Sequence, residues 1–192
     1  MYKDSLYIIK YLQHYRKLLD KNTRRTLVLA LVQCHFDYAI TAWYGSLNKQ
    51  FKNKLQIAQN KLVRYILDLQ PRSHLSQNDM DSIGMLFIRD RAKQLMLNHM
   101  HNVYYKRKPA YLADEFQLVQ HNYYTRGSQH NFYLPKNIGI AFFNFNFQGV
   151  KLWNNLPPSI QGIESKQLFK KKVKLFLKTQ SHKNETCNVI YY

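Results

Sequence analysis

A chain of 192 residues with 45% hydrophobic side chains is long enough to bury a real core and too apolar to be disordered throughout. Its 29 Lys+Arg against 11 Asp+Glu give a formal charge of +18, split evenly as +9 in residues 1–76 and +9 in residues 77–192. Solubility needs far less, so a field of one sign over the whole surface points to a polyanion, either nucleic acid or an anionic membrane.

Residues 3–19 read as a helix, with Ile8, Leu12, Tyr15 and Leu19 as its apolar stripe and Lys3, Lys10, His14 and Lys17 on another face. Tyr7, Tyr11 and Tyr15 share a helical spacing and are expected to border the core, the alternative being that they stack on unpaired bases. Asp20 to Thr23 supply a turn and an N-cap for a second helix from about Arg24 to His35. Irregular structure follows around Tyr38 to Ser46. Asn48 is a good N-cap, with Leu47 placed to form a hydrophobic staple. Phe51, Leu55, Ala58, Leu62, Tyr65 or Ile66, and Leu69 then line one face as far as Pro71. Arg64 and Asp68 fit an i,i+4 surface pair on that helix. The polar run from Pro71 to Asn78 is the expected linker between a domain at 1–70 and a module at 79–180.

A short helix is expected from Met80 to Ile83, stopped by Gly84. A long one covers about Phe87 to Tyr105, with Ile88, Ala92, Leu95, His99 and Val103 along one side. Pro109 suits the first turn of a helix through Phe116. From His121 to Phe147 aromatics sit among Asn, Gly and Thr, which favours short strands; Phe143, Phe145 and Phe147 alternate with Asn144 and Asn146. A helix near Gln148 to Asn155 should end at Pro157-Pro158. The last helix runs from Ser165 to about Gln180, with Phe169, Val173 and Phe176 (with Leu177) apolar and Lys166, Lys170, Lys174 and Lys178 as one basic stripe flanked by Lys171 and Lys172. The tail, 181–192, reads as disordered. The fold class expected is mainly α with a small β or extended element.

Chemistry is harder to find. Two-metal catalysis needs clustered carboxylates, and the closest group, Asp79 and Asp81, reads as helix capping. Tyr111-Leu112-Ala113-Asp114-Glu115 has the look of a polymerase Tyr-x-Asp-Asp signature. It lacks the second Asp and follows a helix-starting proline where a strand hairpin is required. No phosphate-binding glycine loop or nucleophile elbow occurs, and Cys34 and Cys187 form neither a disulfide framework nor a zinc site. The histidines, His99 and His101 included, read as surface or satisfied side chains. No cofactor and no metal are expected. With no signal peptide and no membrane-spanning run, the chain reads as an intracellular protein of the cytoplasm or nucleus. What remains is cationic stripes among aromatics, which suit phosphate contacts without base reading.

Four stretches carry a resemblance. They are Ala30 to Tyr38 (ALVQCHFDY) followed by Ala42-Trp43; Lys54 to Arg64 (KLQIAQNKLVR); Tyr123-Tyr124-Thr125-Arg126-Gly127; and Gly149 to Pro157 (GVKLWNNLP) with Phe169-Lys170-Lys171-Lys172. In this order the chain resembles the region downstream of the catalytic palm in non-LTR, LINE-like retrotransposon reverse transcriptases, of the jockey type. The resemblance implies a helical thumb-like bundle that grips a template–primer duplex, then an α+β C-terminal module. It implies structural roles for Asp37, Tyr38, Trp43, Gly127, Gly149, Trp153 and Pro157. The expected function is therefore non-catalytic binding of RNA or an RNA/DNA duplex without strong sequence preference. Lys3, Lys10, Lys17, Arg24, Arg25, Lys54, Lys61, Arg126 and the Lys166–Lys178 stripe are the expected backbone contacts. A start just beyond the palm reads as a 5′-truncated element copy or a fragmentary gene model. The alternatives are an inactive structural remnant, a module docking through Trp43 and Trp153 onto missing palm and fingers domains, and a membrane-surface binder using the 165–180 helix.

Overall fold

The computed structural model describes the backbone of residues 2–119, 130–136 and 145–188, and within those spans the side chains from Tyr7 to Ser181. The described chain is mainly helical: α1 (Tyr2–His14), α2 (Lys21–Val28), α3 (Cys34–Asp37), α4 (Ile40–Trp43), α5 (Lys49–Leu67), α6 (Gln77–Ser82), α7 (Ile88–Lys106), α8 (Ala110–Ala113), α9 (Phe145–Asn154), α10 (Pro158–Gln161) and α11 (Lys166–Asn188). It divides into two units, Met1–Ile40 with Leu47–Arg91, and Thr41–Ser46 with Ala92–Tyr192. The polar 71–78 run lies inside the first.

In the first unit, α1 stops at His14, and Arg16–Leu18 make a 3₁₀ turn in place of the expected continuation to residue 19. Ile9 and Leu12 are buried, whereas Tyr7, Tyr11 and Tyr15 face solvent, against the expectation that they border the core. Apolar residues surround much of this helix, so periodicity leaves its rotation open. Burial takes the aliphatic side chains and leaves the hydroxyl-bearing ones in water. Asp20 caps α2, its carboxylate accepting from the amides of Asn22 at 2.9 Å and Thr23 at 3.4 Å. The chain continues through a π-turn, Leu29–Gln33, into α3, and Val28, Val32, Phe36 and Ile40 form one buried row.

Asn48 caps α5, as expected, by accepting from Phe51 N at 2.9 Å. Leu55, Ala58, Leu62, Val63, Tyr65 and Ile66 are buried beneath it, though Phe51 is exposed. The helix ends where Asp68 takes a left-handed conformation, φ 58°. Ser76 and Asp79 form a capping box on α6, and Gly84, at φ 67°, turns the chain after it. Polar side chains then tie α5 and α3 to the segment before Ala92. Gln59, fully buried, donates to Leu86 O at 2.9 Å. Arg91 grips Asp37 with Nη2 at 2.7 Å and Nε at 3.2 Å, which gives the motif aspartate a structural role.

The second unit is built on aromatics. Trp153 is wholly buried, stacked on Tyr104 with centroids 5.3 Å apart and flanked by Phe132 and Phe169. Burying such a side chain contributes about 2–3 kcal/mol. Trp153 is therefore core and cannot anchor an interface. Its indole donates to His130 O at 2.7 Å, and Asn154 clamps Phe132, its Oδ1 accepting from Phe132 N at 3.0 Å and its Nδ2 donating to Phe132 O at 2.8 Å. Gln161, also buried, joins Asn131 to Trp153 O. The extended 130–136 segment is thus held by side chains, and its backbone pairing amounts to one isolated antiparallel bridge, Leu118 with Phe132. Among the described residues no named strand forms, and the expected alternation at Phe145 and Phe147 is instead the start of α9. A Cβ at Gly149 would lie 2.8 Å from Met100 Sδ, so a larger residue there has to displace that side chain. Along α7 the buried residues from Ala92 on include Met96, Leu97, Met100, His101 and Val103, while His99 is exposed. In α11, Phe169, Val173 and Leu177 face inward, as expected, while Phe176 is half-buried. That helix runs to Asn188, past the expected end at 180.

Candidate nucleic-acid interface

Within the first unit, α1 and α5 pack together beside a cleft of about 330 Å³. Ile9, Lys10 and Gln13 line it from α1, Arg16 from the following turn, Lys61, Arg64 and Tyr65 from α5, and Leu69 and Pro71 from the returning chain. Four of these nine are cations and none is acidic.

The cations differ in how they are held. Arg16 Nη2 donates to Leu69 O at 2.9 Å, and its Nε pairs with Asp68. Arg64 donates twice to Ser73 O, at 3.0 and 2.9 Å. Both guanidiniums are spent on fixing the backbone turn that forms the far wall, so Arg64 does not make the expected pair with Asp68. That carboxylate serves Arg16 and, at 3.6 Å, Arg24. Lys10 and Lys61 are exposed, and among the described residues neither has an acidic partner. The cleft therefore pairs two anchored guanidiniums, that of Arg16 balanced by Asp68, with two exposed ammoniums, and the net positive field of the lysines suits a phosphate oxyanion. Tyr65, 2% exposed, closes the apolar side, and its buried hydroxyl has no hydrogen-bond partner. Burial pushes its phenol pKa up, against a lowering pull from Arg24 and Arg16, so the hydroxyl stays protonated and can donate.

Of the residues singled out from sequence, Lys10 and Lys61 meet in this cleft. Lys17 and Lys54 are exposed on the same unit, the Lys54 ammonium 5.2 Å over the Phe51 ring. Arg24 is corrected: it is buried, donates to Tyr65 O at 3.1 Å and ties α2 to α5. Arg25 also turns inward, its Nε donating to Ile83 O at 2.7 Å. The Lys3 side chain, Arg126 and Gly127 lie outside the described residues. In the second unit Lys170 is exposed, whereas Lys166, Lys174 and Lys178 are half-buried along the edge of the α11 core face. Pro157 starts α10, accepting from Ile160 N at 2.8 Å; Tyr38 is exposed and Trp43 half-buried. Sequence reasoning missed Arg16, Arg64, Gln13 and Tyr65. Only the spacing of Lys61 and Arg64 on one helix face could have hinted at them.

The Tyr111–Glu115 stretch holds no catalytic geometry: Tyr111 to Ala113 belong to α8, and Asp114 pairs with Arg107 at 3.3 Å on the surface. Among the described residues no cluster of His, Cys, Asp and Glu could hold a metal ion, and no helix is long and apolar enough to cross a membrane. Compared with family models, with curated proteins and with solved structures, the chain shows no significant match.

Proposed function

We propose that this chain binds RNA or DNA through the phosphate backbone, without strong sequence preference and without catalysing a reaction. The observation that carries the reading is the α1/α5 cleft, where Lys10, Arg16, Lys61 and Arg64 converge with no acidic side chain in the lining. Lysines on helix faces neutralise phosphates but do not read base edges, which accounts for affinity without specificity. The motif resemblance supports a more specific form, a thumb-like and post-thumb region of a LINE-like reverse transcriptase, with the palm and fingers of such an enzyme as its protein partner. Asp37, Gly149 and Trp153 all have packing or hydrogen-bonding reasons to be where that resemblance needs them. In this form the cell interior is its place of work.

Salt dependence tests the proposal. With ~6 phosphate contacts, affinity for a nucleic acid should fall ~10³-fold between 50 and 200 mM salt. Replacing Lys10 and Lys61 with Ala should lower the slope of log affinity against log salt by about 2 and weaken binding alike for unrelated sequences. A flat salt response in fluorescence anisotropy would remove the reading. Binding to anionic vesicles without binding to nucleic acid would favour a membrane-surface role for α11 instead.

A further inference from the structure

The solvent face of α1, with the residue that follows it, carries three tyrosines that the core does not use. Tyr7 is 74% exposed, Tyr11 59% and Tyr15 43%. They recur every four residues, a rise of about 6 Å per step. The Tyr11 and Tyr15 rings lie 5.5 Å apart, with their hydroxyls 3.5 Å apart. Lys10 and His14 fall between this row and Ile9 and Gln13 on the cleft side, as 3.6-residue periodicity places them; Lys17 follows in the 3₁₀ turn, and all three are exposed. A water-facing helix row is ordinarily polar and flexible; this one presents aromatic faces beside a cationic strip.

We propose that α1 is a stacking platform for unpaired bases, so that the first unit prefers single-stranded to duplex nucleic acid. The inference rests on the backbone-binding reading above and deepens it. Phosphates lie along Lys10, Lys17 and the cleft, and the bases, turned away from them, stack on Tyr7, Tyr11 and Tyr15. In a duplex the bases are already stacked and paired, so the rings have no open base face to meet. Charge complementarity selects this occupant: the strip beside the rings is cationic, which suits a polyanion with aromatic bases.

The test compares a labelled single strand of about 12 nucleotides with a duplex of the same sequence, by anisotropy at low salt. The intact protein should bind the single strand more tightly. Replacing Tyr7, Tyr11 and Tyr15 together with Ala should cost at least about tenfold on the single strand and leave duplex affinity within about twofold, while the triple Phe variant retains both. As a second measurement, a 5-iodouracil-substituted single strand irradiated on the unsubstituted protein should cross-link to these tyrosines. Equal losses on both substrates, no loss on either, or cross-links confined to other residues would overturn the platform yet leave backbone binding standing. An intact protein that binds neither substrate would overturn both.

Discussion

Single side chains in the first unit divide into those that hold the molecule and those left free to meet a ligand, and charge alone does not tell them apart. Arg24 and Lys10 carry the same charge fourteen residues apart. The first is 8% exposed, its Nη1 donating to Tyr65 O and lying 3.6 Å from Asp68; the second reaches water. Asp68 matters because it is the carboxylate beside two guanidiniums, one of them almost wholly buried. Asp68→Asn keeps a residue that tolerates the left-handed backbone but leaves Arg24 short of a counter-charge. It should destabilise the fold by about 1 kcal/mol, measured as a shift in the urea unfolding midpoint. Lys10→Ala, by contrast, should leave that midpoint in place.

At the scale of elements, capping and close approach decide where helices start and how near they come. Asp20, Asn48 and the Ser76–Asp79 box set three N-termini by local hydrogen bonds; residue type gives the first two and the capping role of Asp79, while the helix it caps starts at Gln77, three residues before the expected Met80. The contact of α9 with α7 is set by Gly149, whose missing Cβ makes room for Met100. Gly149→Val puts three carbons there and adds a β-branched residue to the helix. The expected loss is about 2–3 kcal/mol in denaturant unfolding. Gly149→Ala should lose less, since the Met100 side chain can shift and alanine gains about 1 kcal/mol in helix propensity. The misread element is 145–147, where aromatic–Asn alternation suggested a strand. The helix wins because Phe147, Val150 and Trp153 fall on one face and bury together, a tertiary gain that outweighs β propensity.

For the whole molecule, pH is the informative variable. His101 is fully buried between Tyr105 and Phe169, with Nε2 2.9 Å from Ile163 O. Burial holds its pKa below the usual 6.5, and Lys166 and Lys106 push the same way, while the hydrogen bonds to the Ile163 and Glu164 backbones oppose them. A histidine neutral in the fold but protonated when unfolded stabilises fully above the unfolded value, and that stability drains away as pH falls from 6.5 toward the depressed folded value. Unfolding midpoints should therefore drop between about pH 7 and about pH 5, and the drop should shrink in His101→Gln.

Helical class, the caps at Asp20 and Asn48, the even positive charge and the row Phe169–Val173 follow from sequence alone, because each depends on residue type or on residues within a turn or two of one another. The rotation of α1, the inward turn of Arg24 and Arg25, and the meeting of Lys10 with Lys61 were decided by tertiary structure. Arg16 finds its carbonyl 53 residues away and Arg25 finds its own 58 residues away. Whether a cation becomes a brace or a binding group depends on which distant backbone is left in need of a donor, and no local pattern encodes that.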